Sequence, residues 1–170
     1  MSVVYHTLEP WFSDNSRVLI LGTIPSVKSR EYGCYYGHPQ NRFWKTLATL
    51  FSESHPNGPE ACRAFALRHQ LALWDVLASC EIKGSQDASI ADEKPNDLTR
   101  ILNHSPIELI VTTGAKSKQL FDRFWGDIIE IPVVSLPSTS PANRRWASDD
   151  RLLDAYRVIA DTIMKKAPLG

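Results

Sequence analysis

The chain is poor in cysteine. Cys34, Cys62 and Cys80 are odd in number and form no CxxC pair. That argues against a disulfide framework, a zinc site and a cysteine-bound iron–sulfur cluster. A reducing, cytoplasmic setting is expected. Long apolar runs are missing as well. None approaches the roughly 20 residues of a membrane span. The leading residues, MSVVYHTLEPWF, lack the charged and apolar regions of a signal peptide. No membrane contact is expected. Net charge is absent too, since 19 Lys and Arg balance 19 Asp and Glu, and no whole-molecule field announces a nucleic-acid partner. Several catalytic signatures are also lacking. Gly-Lys-Ser/Thr, GxGxxG, HExxH and Gly-x-Ser-x-Gly do not occur. This removes a Walker loop, a dinucleotide fingerprint, a zincin and a hydrolase elbow.

What is present points to a packed α/β domain. The 170 residues favour one domain over 1–170. A hydrophobic content of 43% supplies a core. Apolar runs at Arg17–Leu21, within Leu71–Leu77, at Leu109–Thr113 and at Ile129–Leu136 read as four strands. Helical spacing covers Gln40–Phe51, Glu60–Arg68, Ser117–Trp125 and a final stretch starting at Asp149 or Asp150. Asn96 is placed to cap a helix over 97–103. The polar stretch Ser79–Lys94 receives no assignment. Trp11 and Phe12, in the leading segment, are expected on the core. Strands alternating with amphipathic helices predict a three-layer α/β/α fold around a four-stranded, mainly parallel sheet.

In such sheets ligands bind at the carboxyl ends of the strands. Three unusual segments begin there: Gly22–Asn41, Thr113–Lys118 and Leu136–Trp146. The window 22–45 holds Lys28, Arg30, Arg42 and Lys45 against Glu31. Lys116 and Lys118 stand without an acid in 113–119, and Arg144 and Arg145 without one in 136–146. Residues 75–97 run the other way, with six acids against Lys83 and Lys94.

Gly22-x-x-Pro25-Ser26 is a tight turn leaving a strand, where Gly permits close backbone approach and Pro sets direction. Taken singly, it reads more readily as a plain turn than as a site. Tyr36, beside Gly37, can face a planar base or pack in the core. Asn41 can donate and accept at once, or can serve as a helix-start cap or make a loop-fixing hydrogen bond. His38 reads as a structural hydrogen-bonding residue. The hydroxyls and N–H groups of Leu136-Pro-Ser-Thr-Ser-Pro-Ala-Asn-Arg144 suit a phosphate backbone, or an ordinary surface loop.

Together these residues resemble the uracil-DNA glycosylase superfamily, and most of all its hypoxanthine-DNA (deoxyinosine) glycosylase branch. The run His38-Pro-Gln-Asn-Arg-Phe-Trp-Lys45 is also similar to that of mismatch-specific uracil/thymine glycosylases. Weaker similarity covers Leu73–Ile90, Leu109–Phe124, Leu136–Arg144 and the last helix. The resemblance implies flipping of a deaminated base and hydrolysis of its N-glycosidic bond, without a metal or organic cofactor. The implied partner is DNA containing deaminated bases, met by a monomer. Asn41 and Ser138 take the catalytic positions. Gly22, Thr23, Ile24, Pro25, Tyr36 and Asp75 line the base pocket. Ser26, Lys116, Ser140, Pro141, Ala142, Asn143 and Arg144 face DNA.

Two positions depart from the family pattern. Ile24 stands where many relatives carry Asn or Asp to position water, so either Asn41 takes over or activity is weak. Leu136 stands where His or Asn is usual, leaving Ser138, Ser140 or Asn143 as the leaving-group stabiliser. A rival reading is a module of the same fold that binds damaged or single-stranded DNA without cutting it. A small-molecule nucleotide hydrolase is a further rival.

Overall fold

The structure is a computed structural model that describes residues 2–82, 90–143 and 148–165. The chain begins with strand β1 (Ser2–Tyr5), strand β2 (Val18–Gly22), and helices α1 (Val27–Tyr32), α2 (Phe43–Leu50) and α3 (Pro59–Arg68). Strands β3 (Leu71–Asp75), β4 (Leu77–Ile82) and β5 (Ala91–Pro95) follow, then helix α4 (Thr99–Leu102). Strand β6 (Leu109–Thr113), helix α5 (Ala115–Trp125), strand β7 (Val133–Leu136) and helix α6 (Asp149–Met164) complete it.

Four strands form a parallel sheet in the order β3-β2-β6-β7. Every residue of β2, β3 and β6 is buried. Strands buried on both faces need cover on both faces, which explains their unbroken apolar runs. The cover comes from α3 on β3, α5 on β6 and β7, and α6 on β2, with α2 packed against α6. The expected α/β fold with a four-stranded parallel sheet is present. Trp11 bridges to Leu73 at the outer edge of β3 and is buried, and Phe12 packs on the same core. Arg17 ties the end of α6 to the sheet by donating to the Thr162 and Ile163 carbonyls.

Several boundaries differ from the sequence reading. The segment after Gly22 is not all loop. Ser26 accepts a hydrogen bond from Ser29 N and caps α1, which ends at Gly33 in a left-handed turn. Helix α2 begins at Phe43 rather than near Gln40, because residues 38–42 are held in a turn by the Asn41 N–H to His38 carbonyl bond. Strand β7 begins at Val133, four residues later than expected.

The unassigned polar stretch holds the larger surprise. Strand β4 pairs antiparallel with both β1 and β5, forming a second sheet in the order β1-β4-β5. Its polar composition hid it, since β5 reads Ala-Asp-Glu-Lys-Pro and is mostly exposed. Asn96 does not cap a helix. Its Nδ2 donates to the carbonyls of Asp75 and Leu77, 3.0 Å from each, and α4 starts later at Thr99. Asn96 thus satisfies two backbone acceptors at the junction of the two sheets. Asn96→Ala is expected to destabilise the protein by about 1–3 kcal/mol, the cost of stranding buried acceptors. Urea unfolding checks this; an unchanged midpoint would show that other donors reach those carbonyls.

Candidate active site

The sheet order lines up four strand ends along one edge: Asp75, Gly22, Thr113 and Leu136. Register confirms it, with Gly22 opposite Asp75 and Thr113 opposite Leu136. The chain leaves β2 on opposite sides towards β3 and β6, so this edge holds the topological switch point.

Gly22 is required by its neighbours. A Cβ there would come 2.5 Å from Asp75 Oδ1 and 3.4 Å from the Tyr36 hydroxyl. Asp75 and Tyr36 therefore meet over the glycine. Tyr36 adopts a positive φ of 55°, uncommon for a bulky side chain. Its hydroxyl lies 2.9 Å from Thr113 Oγ1, and Thr113 donates onward to the Leu21 carbonyl. Its ring stacks on Phe43, with centroids 3.9 Å apart and planes 11° from parallel. One face of Tyr36 is thus packed in the core, while the residue as a whole stays half-buried. Burial, and then the charge of Asp75, raise its phenol above the usual tyrosine range.

Asp75 is itself buried, at 5% exposure. Its Oδ2 accepts from His6 Nε2 at 2.8 Å. A carboxylate only accepts, so Nε2 is the ring nitrogen that carries the proton. His6 follows β1, and its backbone N–H bonds to the Ala78 carbonyl at 2.7 Å. The antiparallel sheet therefore delivers this imidazole to the strand end.

Thr23 and Pro25 are buried beside Gly22, and Ile24 is half-buried. The Thr23 carbonyl accepts from Leu77 N at 3.0 Å, which fixes the turn. Ser26 is exposed, with its hydroxyl spent on capping α1. After β7, the segment to Asn143 orders itself. Ser138 Oγ accepts from Ser140 N, Ser140 Oγ from Ala142 N, and the Ser138 carbonyl from Asn143 Nδ2. Pro141–Asn143 form a 3-10 turn with Ala142 exposed. Tyr156 holds the base of this segment through Pro137, and Arg42 N reaches the Thr139 carbonyl. Arg144 and Arg145 lie outside the described residues.

Asn41 takes up its loop-fixing alternative, one residue ahead of Arg42, the residue that precedes α2. Its Oδ1 accepts from Phe43 N at 2.9 Å. It lines a polar cleft of about 400 Å³ with Pro39, Gln40, Arg42, Lys45, His55 and Asp149. Tyr36, Asp75 and Ser138 do not line that cleft. The structure thus brings Tyr36 and Asp75 to the same side of Gly22, sets Ser138 against Gly114 just beyond Thr113, and ties Asn41 to the backbone of Phe43, whose ring backs Tyr36. Within the cleft, Arg42 pairs with Asp149 at 3.0 Å and holds that carboxyl below its usual range. Lys116 is engaged too, its Nζ 3.9 Å from Glu93 on β5. Among the described residues no cluster of three or more His, Cys, Asp or Glu can hold a metal, and no helix is long and apolar enough to cross a membrane.

Sequence reasoning placed Thr113 at this edge but gave it no role there, and it missed His6 and Phe43. Thr113 had a signal, a hydroxyl ending a buried strand before Gly114. His6 had none, because its position depends on a pairing between β1 and β4 that nothing local announces.

The family model of the uracil DNA glycosylase superfamily matches residues 9–160, taking in all four strand ends. The chain belongs to this superfamily. It is 34% identical over 138 residues to a protein of Methanosarcina acetivorans named hypoxanthine DNA glycosylase, covering 80% of this chain and 86% of that one. A Methanosarcina barkeri protein of the same name is 32% identical over 142 residues, with the same coverage. An NMR solution structure from M. acetivorans, described as a candidate uracil DNA glycosylase, superposes with a TM-score of 0.78 at 27% identity. That match covers 93% of this superfamily member and 99% of the other.

Burial raises the phenols of Tyr35, Tyr36 and Tyr156 together. In the unfolded chain a phenol ionises near pH about 10. The unfolded state then sheds protons that the folded state keeps. The contribution of these phenols to stability is therefore constant below that pH and falls as pH rises through it. Urea midpoints should drop above pH about 10, and less steeply in Tyr36→Phe. Phenolate absorbance from these tyrosines in the folded protein would contradict the burial described.

Proposed function

We propose that the protein is a monofunctional DNA glycosylase that excises a deaminated base, hypoxanthine first and uracil second, as a step of base excision repair. The observation that carries this reading is the 34% identity, over 80% of the chain, to a protein named for hypoxanthine excision. The strand-end geometry supplies the means. The target nucleotide must leave the helix, which costs a few kcal/mol and least for a mispaired base. Stacking on an aromatic ring returns about 1–3 kcal/mol. Tyr36, braced by Phe43 and Thr113, is a platform whose ordering is already complete before DNA arrives.

The base enters over Gly22, between the Thr23–Pro25 turn and Asp75. A water oxygen bonds to the sugar C1′ as the C1′–N bond breaks. The electron pair leaves with the base, which then takes up one proton, while the water gives up one proton and keeps the other as the new C1′ hydroxyl. Oriented donors favour that growing negative charge in a water-poor site. In this reading the amide of Asn41 orients water in place of Ile24, and the Ser138 hydroxyl faces the leaving base. Pro141, Ala142, Asn143 and Arg144 hold the opened duplex, with Ser26 and Lys116 near phosphates. The protein acts as a monomer, and residues 1–170 work as one unit.

A second reading has a specific observation behind it. Asn41 already spends its Oδ1 on Phe43, and Ile24 cannot polarise water. Those facts favour a member that binds damaged DNA without cutting it. Duplexes carrying one deoxyinosine or one deoxyuridine separate the two, with alkaline cleavage reporting abasic sites. The glycosylase reading expects cleavage at deoxyinosine, and a loss of about 100-fold or more in Asn41→Ala. Tyr36→Ala should lose about 10-fold or more, and Tyr36→Phe much less. Salt-sensitive binding with no abasic product would establish the binding module instead.

A further inference from the structure

His6 lies ahead of the matched residues 9–160, and none of the sequence motifs includes it. Yet it is the one described side chain bonded to Asp75. The two side chains are only 3% and 7% exposed. The pairing uses Oδ2 alone. Oδ1 has no hydrogen-bond partner among the described residues, and it is not among the buried side-chain atoms left unsatisfied there. It points across Gly22, where any side chain would collide with it. This is an acceptor with one oxygen pinned and the other presented at the strand-end edge.

We infer that His6 is a positioning residue that holds Asp75 as the reader of the ring N–H that deamination creates. The inference rests on the glycosylase reading above and names the substrate class for that site. Adenine offers a lone pair at N1, and cytosine one at N3. Hypoxanthine and uracil offer an N–H at the same places, next to a carbonyl. A carboxylate only accepts. It attracts that N–H and repels the lone pair, so it selects bases with an –NH–C(=O)– edge. A site built to bond a substrate N–H rejects analogues lacking it far more strongly than an apolar pocket rejects a change of size. The depth of Asp75 suits reading rather than water activation, because a flipped base enters ring-first and its glycosidic bond stays near the duplex. Such selectivity needs the carboxylate held in one rotamer, and the imidazole N–H does that. Without it, the buried charge loses its one side-chain donor among the described residues.

The test compares duplexes carrying deoxyinosine, deoxyuridine, deoxyadenosine or the deoxynucleoside of 6-methoxypurine, whose N1 is a lone pair. Single-turnover excision is measured for the wild type, His6→Phe, His6→Gln and Asp75→Asn, with thermal unfolding as the control for folding. His6→Phe should lose about 10- to 100-fold on deoxyinosine and narrow the ratio of deoxyinosine to 6-methoxypurine. His6→Gln, which keeps an N–H at the same reach, should restore both. Asp75→Asn, which can donate as well as accept, should narrow the ratio further. A folded His6→Phe with unchanged base preference, or a Gln variant no better than Phe, overturns the inference and leaves the glycosylase reading standing. If His6→Phe does not fold, unchanged preference in Asp75→Asn overturns it equally. If the wild type cuts nothing, the glycosylase reading fails. Binding of free hypoxanthine against free adenine then decides the inference alone: His6-dependent preference for hypoxanthine supports it, and equal binding overturns it.

Discussion

A carboxylate buried at the end of a parallel strand needs a partner, and here the partner is the imidazole of His6. An unpaired charge at that depth is expensive enough to be rare. Much of the irregular structure follows from meeting this requirement. The second, antiparallel sheet carries β1 alongside β4, and β4 begins two residues after Asp75. Asn96 stitches β4 and β5 to the Asp75 and Leu77 carbonyls. The extra sheet therefore fixes both the backbone of Asp75 and the donor that faces its side chain.

The parallel sheet supplies the other half of the arrangement. Its order places Asp75, Gly22, Thr113 and Leu136 side by side, although they are far apart in sequence. Tyr36 then reaches back over Gly22 and locks onto Thr113, with Phe43 behind it. The absence of a side chain at Gly22 lets a carboxylate and a phenol approach the same backbone. Rigid elements hold each of these groups. That is what a site must have if it is to distinguish bases by single hydrogen bonds.

The parallel sheet was legible in the sequence because both its faces are buried, and unbroken apolar runs such as Val18-Leu19-Ile20-Leu21 and Leu109-Ile-Val carry that signature. The antiparallel sheet was not legible. Strand β5 is mostly exposed and polar, and β1 is a four-residue edge strand whose partner lies far along the chain. The site was legible in part. Gly22, Tyr36 and Asp75 were expected together and stand together. Asn41 was expected beside them, and it stands instead on a separate polar cleft, its amide oxygen holding the turn that leads into α2. Its two alternatives differ by a side-chain contact that local spacing does not encode. His6 was invisible for a similar reason, since only the long-range register of β1 on β4 brings it to Asp75.

The strand-end edge and the polar cleft beside Asn41 make different demands on a bound nucleobase. The most direct measurement is a crystal structure with duplex DNA carrying an arabino-fluorinated deoxyinosine analogue, whose glycosidic bond resists cleavage. The account places the hypoxanthine ring against Tyr36 with its N1–H on Asp75 Oδ1. A ring seated among Asn41, His55 and Lys45, away from Asp75, would contradict it.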